Sequence, residues 1–257
     1  MRLSVSIVCK NSADTIGRTL DSVRGLADEI VAVDSGSTDA TLDMLHAAGA
    51  RVIESPWLGY VKTKQLVLEH CAGDWVLALD SDESPLPELI KCIEAALDCP
   101  GQHTGFMVNR KVYVDDKPLN HAWQPEWRLR LVLRDRYRWA GLDPHDHLVP
   151  IDPDESIHKL KGDLRHDSIS TWDEFLAKQG RHAETMARSM LAEGRGPSRL
   201  KLLTSPPGAF FKQLILRRAF LDGIPGLRAA HATARATRLK HEALFRLAQE
   251  GQTPTAL

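Results

Sequence analysis

The chain has 257 residues, of which 43% are hydrophobic, and a formal net charge of −1 at pH 7. This size and composition indicate one large globular domain, or a domain with an appendage. A charge so close to zero argues against a general nucleic-acid-binding protein. No apolar run reaches the roughly 20 residues that cross a bilayer. The N-terminus leads directly into a strand pattern, so we expect no signal peptide.

The cysteines indicate the redox compartment. None of them forms a metal-type pair separated by two residues, and two of them lie in apolar surroundings. We therefore expect reduced thiols in a cytosolic protein. The cysteines are Cys9, Cys71, Cys92 and Cys99.

Short apolar segments alternate with helical patterns in the first 80 residues. Such alternation is typical of βαβ units and predicts an α/β fold, with a parallel sheet covered by helices on both faces. The predicted strands are 3–9, 29–34, 51–54 and 75–79, and the predicted helices are 14–23 with Asp14 as the cap, 40–48 and 61–70.

Neither a Gly-x-Gly-x-x-Gly motif after the first strand nor a Gly-Lys-Ser/Thr phosphate loop is present, which disfavours a dinucleotide dehydrogenase and a P-loop NTPase.

The second part of the chain predicts further strands and then helices. Thr171 and Glu174 form a capping box for a helix that reaches about residue 193. Proline and glycine at 196–197 and at 205–208 predict a boundary. The other predicted elements are a helix at 85–97, strands of a mixed sheet within 104–114, a turn at 115–118, a strand at 128–134 and a basic helix at about 227–247.

Acidic residues follow two of the predicted strands. Asp80 and Asp82 come directly after the fourth strand, where both carboxylates can turn toward one Mg²⁺ or Mn²⁺ and phosphate oxygens can complete the shell. Open α/β sheets bind ligands at this edge. A solvated acidic loop with capping carboxylates is the alternative. Asp34 ends the second strand at the same edge and either contacts the ligand or caps the following helix.

A basic and aromatic stretch occupies residues 123–139. Arginine and tryptophan in this arrangement either hold phosphates and stack on sugar rings, or form the outer face of a strand whose aromatic side is buried. The alternation in 128–134 fits a strand. The residues concerned are Trp123, Trp127, Arg128, Arg130, Arg134, Arg136, Arg138 and Trp139.

Two later positions carry candidate chemistry. Asp146 lies in a loop rich in histidine and aspartate, residues 143–147, whose spacing matches no zinc-helix motif. Its carboxylate is suited to deprotonating an acceptor hydroxyl, and a polar surface turn is the alternative. His166 follows another predicted strand, where a lone histidine is more often structural than a ligand.

The C-terminal part segregates charge. Residues 206–246 are rich in Lys, Arg and His and contain almost no acid. Apolar faces flanked by cations suit the surface of an anionic membrane. An ordinary helical cap on the domain is the alternative. We favour membrane-surface contact through residues 206–250.

Three motifs occur in a fixed order: Ser-Ile-Val-Cys-Lys-Asn at 6–11, Ala-Asp-Glu-Ile-Val-Ala-Val-Asp-Ser-Gly-Ser-Thr-Asp at 27–39, and Gly-Asp-Trp-Val-Leu-Ala-Leu-Asp-Ser-Asp-Glu at 73–83. As a set they resemble the inverting family 2 glycosyltransferases, in particular the lipopolysaccharide-core β-glucosyltransferases of the WaaE/KdtX type. Looser matches at 128–131, 144–146 and 220–223 extend the resemblance over nearly the whole chain.

The resemblance implies a GT-A fold, in which a mostly parallel central sheet is flanked by helices. Residues 1–205 would form this domain, with a nucleotide-sugar half at 1–100 and an acceptor half at 101–205. Residues 206–257 would form a basic amphipathic helical extension.

The resemblance also implies site residues at the matching positions. The donor-binding residues would be Val8, Lys10, Asp34, Ser35, Lys64 and Asp80; the ligands of Mg²⁺ or Mn²⁺ would be Asp80, Asp82 and His166; and the catalytic base would be Asp146.

The expected function is the transfer of a hexose, glucose in the branch that the chain resembles, from a UDP-sugar with inversion. The acceptor would be a lipopolysaccharide-core or related glycolipid. The protein would be cytoplasmic and peripheral on the inner face of the cytoplasmic membrane, with no nucleic-acid partner. The alternatives are transfer to a polyprenyl phosphate and a non-catalytic protein that binds nucleotide sugars at the membrane.

Overall fold

The computed structural model describes residues 2–143 and 145–250. These residues form two compact units. The first consists of residues 2–111, 126–141 and 145–167, and the second of residues 112–125, 142–143 and 168–250. The boundary expected at residue 205 falls inside a helix, Arg199–Phe211.

The first unit begins with the βαβ units that the sequence predicts. The strands pair in the order β3-β2-β1-β4, and each of these pairs is parallel. The elements are β1 (Leu3–Cys9), α1 (Ala13–Val23), β2 (Glu29–Asp34), α2 (Thr41–Ala47), β3 (Arg51–Glu54), α3 (Tyr60–His70) and β4 (Trp75–Asp80). Asp14 is not the cap of α1, because the helix begins at Ala13 and Asp14 lies in its first turn.

The same sheet then continues with strands of the opposite direction, so that it is mixed as a whole. From β4 the order is β8-β6-β11-β5, and β4–β8, β8–β6 and β11–β5 are antiparallel. Strands β9 and β10 pair separately. The elements are β5 (Glu83–Pro85), α4 (Pro87–Asp98), β6 (Gly105–Val114), β7 (Lys117–Pro118), β8 (Trp127–Leu133), β9 (Tyr137–Leu142), β10 (His145–Pro150) and β11 (Ile157–His166).

Alternation along the strands gives the sheet of the first unit two apolar faces. In β4, Leu77 and Leu79 pack into a cluster with Ile16 of α1 and Ile93 of α4. The intervening residues Val76 and Ala78 pack on the opposite face, in a cluster with Val67 and Leu68 of α3. Burial on both faces is what a strand between helices requires, and it explains the continuous apolar run of β4.

Two local predictions were wrong because strand pairing outweighs local turn signals. The stretch 83–85, at whose end a helix was expected to begin, is strand β5, which pairs with Leu164–His166 of β11, and the helix begins at Pro87. The stretch 143–147, expected to be a loop, contains the start of β10, which pairs with β9. Pro144 of that stretch lies outside the described residues.

The second unit is mainly helical and has its own apolar clusters. One cluster includes Val112, Phe175 and Ala229, and another includes Met190 and Leu244. Its helices are α5 (Trp172–Ala192), α6 (Arg199–Phe211) and α7 (Gly223–Glu250). The hydroxyl oxygen of Thr171 accepts a hydrogen bond from the backbone N–H of Glu174 at 3.2 Å, as the predicted cap requires.

The prolines expected to mark a boundary lie within α6 instead. Pro206 and Pro207 are inside this helix, and each removes one backbone hydrogen bond. No residue of α6 is buried, so water can satisfy the carbonyl groups that the prolines leave without a donor. Among the described residues, no helix is both long enough and apolar enough to cross a membrane.

Candidate active site

The candidate site lies at the carboxyl edge of the parallel strands in the first unit. Val8 of β1 is level with Asp80 of β4 on one side, and Cys9 is level with Asp34 of β2 on the other. Because β2 and β4 flank the same strand, the backbones of Asp34 and Asp80 lie about 10 Å apart. This spacing fits a ligand that extends along the edge of the sheet.

Asp34 does not cap helix α2, which was the alternative left open by the sequence. Its carboxylate accepts hydrogen bonds from the backbone N–H groups of Gly36 at 2.9 Å and Ser37 at 2.8 Å, and from the Ser37 hydroxyl. Asp34 is 1% exposed. Burial, followed by the charge of Asp34, raises the pKa of the neighbouring Cys9 thiol to about 12, so this cysteine stays protonated.

The residues next to Asp34 and Val8 provide polar groups at the same edge. The backbone N–H of Ser35 donates to the carbonyl of Cys9 at 3.0 Å. Within the described residues, the buried Ser35 hydroxyl has no hydrogen-bond partner, and a buried polar atom of this kind calls for a ligand or water. Val8 is half-buried in β1, and Lys10 is exposed just beyond its end.

Lys64 of α3 joins two of the predicted site residues. Its ammonium lies 2.6 Å from Oδ1 of Asp80 and 2.8 Å from Oδ2 of Asp146. The same ammonium is 4.8 Å from the ring centroid of Trp139, a distance at which a cation and an aromatic face attract. Lys64 is 7% exposed. The buried ammonium of Lys64 therefore links Asp146 of β10 to Asp80 at the end of β4.

The Asp80 carboxylate is surrounded by cations. Besides Lys64, its Oδ2 accepts from Arg130 at 2.9 Å and lies 3.8 Å from Arg110. Burial alone would raise the pKa of Asp80, but the charges of Lys64, Arg130 and Arg110 outweigh it and hold that pKa well below its usual range. Asp80 is therefore ionised throughout the physiological pH range.

A second layer of charges supports Asp80 from behind. Glu83 is fully buried, and its Oε1 lies 2.5 Å from Arg130 and 3.1 Å from Arg110. The other oxygen of Glu83 accepts from the backbone N–H of Asp80 at 3.1 Å. Glu83 thus orients both the arginines and the backbone at the end of β4.

The charges continue outward to Glu126. Its carboxylate binds Arg110 at 2.7 Å and Arg128 at 2.7 Å. Burial would raise the pKa of Glu126, but hydrogen bonds and charges from these two arginines lower it to about 2. The linked residues form what we call the ion-pair network, with four carboxylates and four cations: Lys64, Asp80, Glu83, Arg110, Glu126, Arg128, Arg130 and Asp146.

Asp82 faces a different partner from Asp80. Its Oδ2 lies 3.4 Å from Nε2 of His166, and its carbonyl accepts from the backbone N–H of Asp167 at 2.9 Å. The ring nitrogen Nδ1 of His166 is buried and has no hydrogen-bond partner among the described residues. Within the same part of the chain, no three His, Cys, Asp or Glu side chains are grouped as a metal site. The assignment of Asp80, Asp82 and His166 as metal ligands therefore stays a prediction.

The basic and aromatic stretch divides between the two alternatives that the sequence left open. Arg130 is buried and binds Asp80 and Glu83, so it belongs to the site. Its neighbours Leu131 and Val132 are fully buried and pack in the apolar clusters on the two opposite faces of the sheet. Trp139 is buried beneath Lys64. Arg136 pairs at 3.0 Å with Glu155 instead.

Replacing Glu83 by glutamine should destabilise the protein, because Arg130 and Arg110 would keep a buried charge with one partner fewer. We expect the free energy of unfolding to fall by roughly 2 kcal/mol or more, measured by urea denaturation. Glu94→Gln, at an exposed position of α4, is the matched control and should change little. Equal urea midpoints for the two variants would contradict the structural role assigned to Glu83.

Comparison with known proteins adds an independent line of evidence. The sequence model of glycosyl transferase family 2 matches residues 4–148. The lipopolysaccharide core biosynthesis glycosyltransferase LpsC of Rhizobium meliloti is 30% identical over 255 residues, covering 90% of each chain. An uncharacterized glycosyltransferase of Rickettsia bellii is 29% identical over 236 residues, covering 88% of this chain and 80% of the relative.

The fold has counterparts among solved structures. Glucosyl-3-phosphoglycerate synthase from Mycobacterium tuberculosis, crystallised with phosphoglyceric acid, superposes with a TM-score of 0.50 at 19% identity, over 77% of this chain and 81% of that one. This likeness confirms the GT-A-like α/β fold. Because the family model covers more than half of the sequence and includes β1, β4 and Asp146, the chain belongs to glycosyl transferase family 2.

Proposed function

We propose that this protein transfers a hexose, glucose by resemblance, from a UDP-sugar to a lipopolysaccharide-core or related glycolipid, with inversion at the anomeric carbon. The observation that carries the proposal is the bridge from Asp80 through Lys64 to Asp146, with distances of 2.6 and 2.8 Å. It supports one site that contains both a donor-side carboxylate and a candidate base. Membership of family 2 supports the class of reaction.

In the proposed reaction, Asp146 accepts the proton of an acceptor hydroxyl. The acceptor oxygen forms a bond to the anomeric carbon of the donor while the bond from that carbon to the diphosphate breaks, and UDP leaves. Attack from the side opposite the leaving group inverts the configuration. Asp146 is suited to this step because its side chain is only 10% exposed and its position is fixed by Lys64. A carboxylate whose position is fixed keeps its oxygen within reach of the acceptor hydroxyl that it deprotonates.

The donor side of the site relies on fixed polar groups. Asp80 is held by Lys64 and Arg130, so a ribose hydroxyl would donate its hydrogen bond to a carboxylate that stays ionised. Asp34 and Ser35, together with the backbone from Val8 to Lys10, would contact the uracil and ribose. The free hydroxyl of Ser35 within the described structure supports a ligand at this point.

Asp82 and His166 fit the role of ligands to Mg²⁺ or Mn²⁺. Two neighbouring ligands of an octahedral ion, each about 2.1 Å from it, are about 3.0 Å apart, and the observed separation of these side chains is 3.4 Å. Magnesium sites commonly use one or two protein ligands together with substrate phosphates. The bound ion would neutralise the charge that develops on the departing diphosphate. Asp80 would be the third predicted metal ligand if its carboxylate turned from Arg130 toward the ion.

The nature of the acceptor is supported by a relative. The protein of Rhizobium meliloti is named a lipopolysaccharide core biosynthesis glycosyltransferase, and it matches this chain over nearly the full length of both. We therefore propose a glycolipid acceptor and action at the inner face of the cytoplasmic membrane, with contact through the C-terminal helices predicted at 206–250.

Asp146→Asn should retain donor binding but lose turnover by a factor of roughly 10²–10⁴, the usual contribution of general base catalysis. The measurement is UDP release from UDP-glucose with a lipopolysaccharide-core acceptor, alongside calorimetric binding of the donor. Asp154→Asn, at an exposed position, is the control. Near-normal turnover of Asp146→Asn would remove this residue as the base.

The same assay separates the rival functions. Transfer to a polyprenyl phosphate, but not to the core glycolipid, would replace the proposed acceptor. Donor binding by the wild-type protein without transfer to either acceptor would leave a non-catalytic binding protein.

Removal of divalent metal should abolish activity, because the departing diphosphate would lose its counter-charge. We expect EDTA to stop UDP release and excess Mn²⁺ to restore it, and Asp82→Asn to need a higher Mn²⁺ concentration for half-maximal activity. Asp74→Asn, exposed just before β4, should need no more Mn²⁺ than the wild type. Full turnover in EDTA would exclude the metal from the reaction.

A further inference from the structure

The second unit exposes an unusual number of large apolar side chains along one continuous segment. Residues 199–228 include α6, a π-helix (Lys212–Leu216), a 3₁₀-helix (Ala219–Asp222) and the start of α7. Monomeric soluble proteins rarely leave extended apolar patches in water, and such patches mark interaction surfaces. The exposed apolar residues of this segment are Leu200, Leu203, Phe211, Ile215, Leu216, Phe220, Leu221, Ile224 and Leu227. We call residues 199–228 the apolar-basic segment.

The exposed charges of this segment are all positive. Its single acidic residue, Asp222, is occupied by backbone N–H groups of Asn120, His121 and Ala122 at 2.7–3.0 Å. The segment therefore combines apolar side chains with cations and presents no exposed carboxylate. The exposed cations are Arg199, Lys201, Lys212, Arg218 and Arg228.

The exposure is built into the fold rather than produced by a loose loop. Arg218 adopts a left-handed backbone conformation with φ 56°, which is uncommon for a residue with a side chain. Gly226 packs so closely on the carbonyl of Ala219 that a Cβ would lie 1.8 Å from its oxygen. Together with Asp222, these contacts hold Phe220 and Leu221 in fixed positions in which their side chains remain exposed.

The rest of α7 is committed to the interior of the second unit. Ala229, Ala230 and Ala232 are buried, as are Ala243, Leu244 and Leu247 farther along the helix. The surface available for a partner thus lies earlier in the chain than the range 206–250 expected from charge alone. It includes α6 from its first turn and ends near residue 228.

We propose that the apolar-basic segment is a membrane-docking surface that inserts its apolar side chains at the surface of an anionic phospholipid bilayer. The inference deepens the proposed function and rests on it, since it names the lipid surface at which a glycolipid acceptor would be met. Amphipathic segments of this composition bind at the interface through buried apolar area and attraction to anionic lipids. A second copy of the chain is the less suitable partner, because two such surfaces would bring like charges together.

The test is co-sedimentation of the full chain with two kinds of vesicle, one of phosphatidylcholine alone and one that also contains roughly 30 mol% of the anionic lipid phosphatidylglycerol. We expect binding to the anionic vesicles and much weaker binding to the neutral ones. Leu216→Ser combined with Ile224→Ser should reduce the partition coefficient at least roughly ten-fold. Both side chains are highly exposed, at 77% and 69%, so the fold should be retained.

Two matched controls separate the surface from general stickiness. Ile151→Ser combined with Ile157→Ser alters two exposed isoleucines of the first unit and should leave vesicle binding unchanged. Lys201→Glu with Lys212→Glu should remove the preference for anionic vesicles, whereas Lys178→Glu with Arg181→Glu, at exposed positions of α5, should retain it. The proposal would be overturned if the isoleucine control lost as much vesicle binding as Leu216→Ser with Ile224→Ser. It would also be overturned if the two charge-reversal variants lost the preference for anionic vesicles equally.

Failure of this inference can be told apart from failure of the proposed function. Asp146→Asn should bind vesicles as the wild type does, because binding does not depend on sugar transfer. Sedimentation velocity without lipid should show a monomer. A dimer that Leu216→Ser with Ile224→Ser dissociates would overturn the proposal and assign the surface to a second copy of the chain.

Discussion

The ammonium of Lys64 is the interaction on which the candidate site depends. It lies between Asp80, at the end of a central parallel strand, and Asp146, on a separate two-stranded sheet. Buried charges are costly unless they are paired. The cation therefore compensates two carboxylates whose mutual repulsion would otherwise separate them. The ring of Trp139 lies 4.8 Å from the same ammonium and attracts it.

The ion-pair network explains how so many charges are tolerated near the centre of the first unit. Glu83 neutralises the two arginines that face Asp80, and Glu126 holds the outer one. Arginine suits this position because its planar fork can bind two carboxylates at once. A polar network of this kind, with its members mutually paired, fixes the geometry of a site more rigidly than isolated side chains would.

Local patterns predicted the part of the fold that is built from local units. The strands β1 to β4 and the positions of Asp34 and Asp80 at strand ends followed from apolar runs between helical patterns. The short strand β5 was missed because its partner β11 lies far along the chain. The strand containing Asp146 was missed although its partner β9 directly precedes it, because the polar stretch 143–147 was assigned entirely to a loop. Polar sequences with proline resemble turns until a partner strand supplies hydrogen bonds.

The ion pairs of the site could not be predicted from the sequence, because they depend on which strands are neighbours in the sheet. Arg130 was noticed within a basic stretch, but its pairing with Asp80 arises from the adjacency of β4 and β8 in the sheet. No motif or spacing in the sequence singled out Glu126 and Arg110 as site residues. In the second unit, the composition correctly identified a basic and apolar region, yet only the burial of residues 229–247 distinguishes the packed part of α7 from the exposed part.

The most direct test of the account is the response of the enzyme to the loss of Lys64. Lys64→Met should be compared with Lys62→Met, an exposed position on the same helix, with thermal denaturation to verify that both variants are folded. We expect Lys64→Met to lower turnover with UDP-glucose roughly 100-fold, since both carboxylates lose their shared partner, while Lys62→Met stays close to the wild type. If Lys64→Met turned over at the wild-type rate, the bridge between Asp80 and Asp146 would have no part in catalysis.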